Sequence, residues 1–88
     1  MTTEERKILA KESAIVWKGD LLDDCTAEWA GLMLRAEWID DNYWWWAVYD
    51  MQKNEMIIDT SNDYSVRFIG GEIARKKAEE VAKNYLGL

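Results

Sequence analysis

The hydrophobic pattern is densest in Asn42-Tyr43-Trp44-Trp45-Trp46-Ala47-Val48-Tyr49-Asp50, where seven aromatic or apolar residues run between an asparagine and an aspartate. In an extended strand, successive side chains point to opposite faces. Trp44, Trp46 and Val48 then share one face, and Tyr43, Trp45, Ala47 and Tyr49 share the other. Both faces call for apolar neighbours, so this stretch is expected as the central strand of a small sheet. A helix layer should cover one side, with an aromatic-tolerant environment on the other.

The flanking patterns fit that sheet. Thr2 followed three residues later by Glu5 is a capping box, predicting a helix from Thr2 to about Val16 with Ile8, Leu9, Ile15 and Val16 inward. Lys18-Gly19-Asp20 reads as its stop, and Leu21 and Leu22 are placed over one end of the core. From Thr26 to Ile39 the period becomes two, with Leu32, Leu34, Ala36 and Trp38 facing one way and Met33, Arg35, Glu37 and Ile39 the other. A helix competes on propensity. The clean alternation and the following Asp40-Asp41-Asn42 turn favour a strand. A second turn at residues 51–55 leads to a third strand, Met56 to Thr60. Tyr64 to Ile69 reads as a short fourth edge strand or an irregular approach to the last helix. That helix, Glu72 to Leu86, carries the stripe Ala74, Ala78, Val81, Ala82 and Tyr85. The expected fold is a single α+β domain over residues 1–88. It has a three-stranded antiparallel meander, four-stranded if Tyr64–Ile69 joins, between N- and C-terminal helices in the order α-β-β-β-α.

Composition narrows the function more than it identifies it. Six tryptophans and 49% hydrophobic residues argue against disorder. No apolar run is long enough to cross a bilayer, and the charged first residues do not form a signal peptide, so a cytoplasmic location without a membrane partner is expected. With no histidine and one cysteine, zinc, haem and iron–sulfur sites and histidine-based triads are excluded; no cofactor is expected, and Cys25 reads as a structural thiol. The net charge of −6 is uneven: residues 20–63 carry eleven acidic against two basic side chains, while both terminal segments are mildly basic. Such a field repels phosphate backbones and attracts a basic partner.

Two surfaces are candidates for binding. Tyr43, Trp45 and Tyr49 should lie beside Met33, Arg35 and Glu37 on the second face of the sheet, and these residue types are enriched in interface cores. Asp23, Asp24, Asp40, Asp41, Asp59 and Asp63, from the sheet and its turns, form an acidic steering surface. As adjacent turn residues without a cleft, they read as turn and solubility residues rather than a catalytic pair. The α-β-β-β-α order is similar to that of double-stranded-RNA-binding domains, and Arg75-Lys76-Lys77 after Gly70-Gly71 parallels the basic start of their final helix. The resemblance implies RNA contacts at Arg75, Lys76 and Lys77, or a related domain converted to dimerisation. The acidic middle of the chain opposes phosphate binding. The favoured expectation is a non-enzymatic protein-binding module whose partner has a basic surface, or which self-associates through the aromatic face. Its size and charge match the character of inhibitors carried by phages and mobile elements, such as anti-CRISPR or anti-restriction proteins.

Overall fold

The structure, a computed structural model, describes all 88 residues. Helix α1 spans Thr3–Glu12, followed by strands β1 (Lys18–Gly19), β2 (Asp24–Trp29), β3 (Leu32–Asp40), β4 (Tyr43–Asp50) and β5 (Met56–Thr60), and helix α2 (Gly71–Tyr85). The strands form one antiparallel five-stranded sheet in sequential order. The expectation of three or four strands is therefore corrected to five, and β3 rather than the tryptophan-rich β4 is the middle strand.

The extra strands come from two local features. Residues 26–39 are not one strand: the chain reverses at Ala30-Gly31, so that Trp29 pairs directly with Leu32. Both turn residues have positive φ, 49° and 79°, the conformation that a two-residue type I′ hairpin turn demands. Alanine pays strain there, and the turn is held from outside. Arg6 Nε donates to the Ala30 carbonyl at 3.0 Å, and the Met51 amide donates to the Gly31 carbonyl at 3.0 Å. The other extra strand is β1, at residues whose pattern predicts a helix stop. Gly19 pairs with Cys25 at φ +101°, and a Cβ there would meet the Asp24 carbonyl oxygen at 2.8 Å. Tyr64–Ile69 forms no strand, although the Phe68 carbonyl accepts from the Trp44 amide at 2.7 Å beyond the end of β5. With five strands, the parallel to the α-β-β-β-α order of double-stranded-RNA-binding domains lapses.

The core lies on one face of the sheet. β2 contributes Cys25, Ala27 and Trp29; β3 contributes Leu32, Leu34 and Ala36; β4 contributes Trp44, Trp46 and Val48. Helix α2 lays Ala74, Ala78 and Ala82, all fully buried, against this surface. Small side chains on the helix let it approach bulky indoles closely, which keeps the layer densely packed. At its first residue the approach leaves no room: a Cβ on Gly71 would meet the Trp44 ring at 2.9 Å and Arg75 Nη1 at 2.8 Å. Gly71→Ala is therefore expected to cost about 1–3 kcal/mol by overpacking, measured by urea unfolding.

Helix α1 is shorter than expected and is anchored differently. Its capping box is present, with Glu5 N donating to Thr2 Oγ1 and Thr2 N donating to Glu5 Oε1, both at 3.1 Å. Its buried residues are Arg6 and Ala10, while Ile8, Leu9 and Val16 are exposed. The anchor is polar. Arg6 Nη1 and Nη2 donate to Asp50 Oδ2 and Oδ1 at 3.0 and 3.2 Å, and Tyr85 of α2 donates its hydroxyl to Asp50 Oδ2 at 2.8 Å. Trp29 Nε1 donates to the Ser13 carbonyl, and Trp17 Nε1 to Glu79. These bonds place α1 and the segment after it on the same side as α2. Leu21 and Leu22 do not cover the core, and Trp38 is largely exposed although it pairs with buried Trp44. The inward alternation of β3 runs out there, where the register slips between Trp38 and Asp40.

Candidate functional site

With both helices on one side, the other face of the sheet has no covering layer. Its composition follows from the strand register. Glu28, Met33, Tyr49 and Ile57 form one cross-strand row, Thr26, Arg35, Ala47 and Thr60 a second, and Asp24, Glu37 and Trp45 a third. Met33, Arg35, Glu37, Trp45 and Tyr49 are thus brought together, each half-buried by its neighbours. The Arg35 guanidinium stands 5.4 Å over the Trp45 ring, with Nη2 3.6 Å from Asp24 Oδ1 and 3.9 Å from Glu37 Oε2. The carboxylates and the ring restrict this cation, although such exposed pairs add little stability. Beside it, Met33, Arg35, Tyr49, Met51, Glu55 and Ile57 line a shallow open depression of about 360 Å³.

Tyr43 stands apart from this group. Its hydroxyl is 2.7 Å from Ser61 Oγ and Arg67 lies 5.4 Å over its ring, so it is tied to the segment after β5. Ile57 and Met51 belong to the face and were missed from the sequence. Ile57 sits on a strand whose register shifts opposite Val48 and Tyr49, which makes its side unreadable from alternation.

The six aspartates expected to form one acidic surface divide into two groups. Asp23, Asp24, Asp40 and Asp41 lie where the β1–β2 loop meets the β3–β4 hairpin. The Trp38 amide donates to the Asp23 carbonyl at 2.6 Å, Asp24 pairs with Glu37, and Asp40 Oδ1 caps the turn by accepting from the Asn42 amide at 2.7 Å. Asp59 and Asp63 lie at the end of β5. Asp59 Oδ2 accepts from the Tyr64 hydroxyl at 2.7 Å, and this hydrogen bond, with burial, raises the phenol above its ordinary pKa.

Arg75, Lys76 and Lys77 have separate engagements within the chain. Arg75 Nη1 donates to the Leu21 carbonyl at 3.1 Å, Lys76 is 3.3 Å from Glu72, and Lys77 is 3.4 Å from Glu80 and lies over the Tyr64 ring. Cys25 is buried with its thiol 3.6 Å from the Ala36 carbonyl. Burial pushes the thiol pKa up and favours the unreactive protonated form, outweighing Arg75, which acts in the opposite direction. No helix is long and apolar enough to cross a membrane. No protein-family model, curated protein or solved structure matches the chain.

Proposed function

We propose that the chain is a small non-enzymatic binding protein whose uncovered sheet face docks a protein partner with a basic surface. One observation carries this reading: both helices pack on the same side of the sheet, leaving Met33, Arg35, Trp45, Tyr49 and Ile57 without a second layer. Trp45 and Tyr49 supply large, stiff contact area, and interfaces concentrate their energy in such aromatic anchors. Asp23, Asp24, Asp40 and Asp41 at one end of the sheet add a field that speeds encounter with a cationic partner. An inhibitor that presents carboxylates where a nucleic-acid-binding protein expects phosphates is one function these two features would serve together.

The test is affinity capture at two salt concentrations, comparing the wild-type chain with the double variant Trp45→Ala, Tyr49→Ala. A protein retained by the wild type should fall about tenfold or more with the variant. Both chains should give the same far-UV circular dichroism, and retention should drop as salt rises. Capture of RNA alone, or equal retention by both chains, would overturn the reading.

A further inference from the structure

A second surface lies at the end of the sheet where α2 begins. Three backbone or side-chain bonds gather it: Trp38 N to the Asp23 carbonyl, Arg75 Nη1 to the Leu21 carbonyl, and Trp44 N to the Phe68 carbonyl. Gly71, the first residue of α2, abuts the Trp44 ring. The β1–β2 loop, the β3–β4 hairpin, the segment before α2 and its first turn therefore meet at one end. Leu21, Leu22, Trp38, Ile39, Ile69 and Ile73 belong to these four pieces, and each is between 43 and 84% exposed. Single exposed apolar side chains are ordinary, but this many gathered at one end mark an interaction surface.

The charges around it select the occupant. Asp40 is 3.9 Å from Arg67, and Glu72 is paired with Lys76. Asp20, Asp23 and Asp41 have no ion-pair partner, while Arg75 is committed to the Leu21 carbonyl. The rim therefore carries excess negative charge around an apolar centre. Phosphate backbones and anionic lipid are repelled by such a rim, and a second copy would bring two acidic rims together. We propose that this end docks a basic amphipathic segment of a partner protein, with apolar side chains seated on Leu22, Trp38 and Ile39 and lysines or arginines facing the aspartates. Its apolar residues are separate from those of the uncovered sheet face, while Asp23 and Asp41 border both surfaces. The apolar variants and the location of the amide shifts therefore distinguish the two.

The experiment titrates the full chain, followed by ¹H–¹⁵N correlation spectra, with a synthetic leucine–lysine amphipathic peptide, its leucine–glutamate counterpart, and vesicles of anionic phospholipid. The lysine peptide alone should bind, with amide shifts concentrated at Leu22, Trp38, Ile39, Ile69 and Ile73. Leu22→Ser with Ile39→Ser, both at exposed positions, should raise its Kd about tenfold with an unchanged fold. Asp23→Asn with Asp41→Asn should weaken binding and flatten its salt dependence. Absence of binding, equal binding of the glutamate peptide, preference for vesicles, or self-association that those serines abolish would overturn the proposal. So would shifts centred on Trp45 and Tyr49, which would return the binding to the sheet face.

Discussion

Replacing Asp50 with alanine is expected to cost about 3–5 kcal/mol, because it strands a buried guanidinium. Asp50 is fully buried and accepts from Arg6 twice, from the Tyr85 hydroxyl and from the Gln52 amide at 3.0 Å. Since a domain of this size has only about 5–15 kcal/mol of stability, the variant should unfold at far lower urea. Arg6→Met should be comparably damaging, because it leaves the carboxylate buried without its cation. The pair Arg6→Met, Asp50→Leu should recover much of the loss, since a well-packed apolar pair avoids the desolvation of two charges. Acid offers an independent check. Burial alone would raise the Asp50 pKa, but donors from Arg6, Tyr85 and Gln52 outweigh it and hold the carboxyl below its ordinary range. A pKa lower in the folded than in the unfolded chain stabilises fully above the unfolded value of about 3.9, and that contribution disappears as pH falls through the folded value. The stability difference between wild type and Asp50→Asn should therefore be constant near neutrality and shrink below about pH 4.

Trp46→Ala should be the most damaging apolar truncation, at about 3–5 kcal/mol. Trp46 is fully buried in the middle of β4, with ring centroids 5.5 Å from both Tyr64 and Phe68, the latter edge-on. Tyr64 and Phe68 lie on a segment without regular structure, so this aromatic cluster, together with the Trp44 amide to Phe68 carbonyl bond and the Tyr64–Asp59 bond, holds residues 64–68 to the sheet. Removing the indole should cost that segment its order as well as opening a cavity. Loss of amide protection at residues 64–68, together with the urea midpoint, would register both effects. Trp46 Nε1 has no hydrogen-bond partner despite its burial. Phenylalanine removes that unpaired donor while keeping a ring, so Trp46→Phe should be milder than alanine by about 1–3 kcal/mol.

The long periodic segments were legible and the short reversals were not. The alanine stripe of α2 and the inward set of β4 follow directly from periods of 3.6 and two, and both lie in the core. The pattern of residues 26–39 reads as a single strand because Ala30-Gly31 lacks the Asn-Gly or Asp-Gly signature of a type I′ turn. Tertiary bonds from Arg6 and Met51 hold it instead, and no local pattern reveals them. The same remoteness hid the anchor of α1, where a buried arginine replaces the expected stripe of Ile8 and Leu9. For the sheet face, alternation grouped Met33, Arg35, Glu37, Trp45 and Tyr49, whereas Ile57 required the shifted register of β5. The apolar end could not be foreseen, because its pieces come from four separate stretches and each looks locally like core.

The bonds that join Arg6 and Tyr85 at Asp50 also decide how the molecule can be handled. Lys7 and Gly87 lie side by side, so both chain ends emerge near the last residue of β4. The β3–β4 hairpin lies at that strand's other end, roughly 23 Å away at 3.3 Å per residue. A tag, fluorophore or surface linkage at either terminus therefore sits at the far pole from Leu22, Trp38 and Ile39 and leaves them facing solution. A chain immobilised by either end should capture the same ligands.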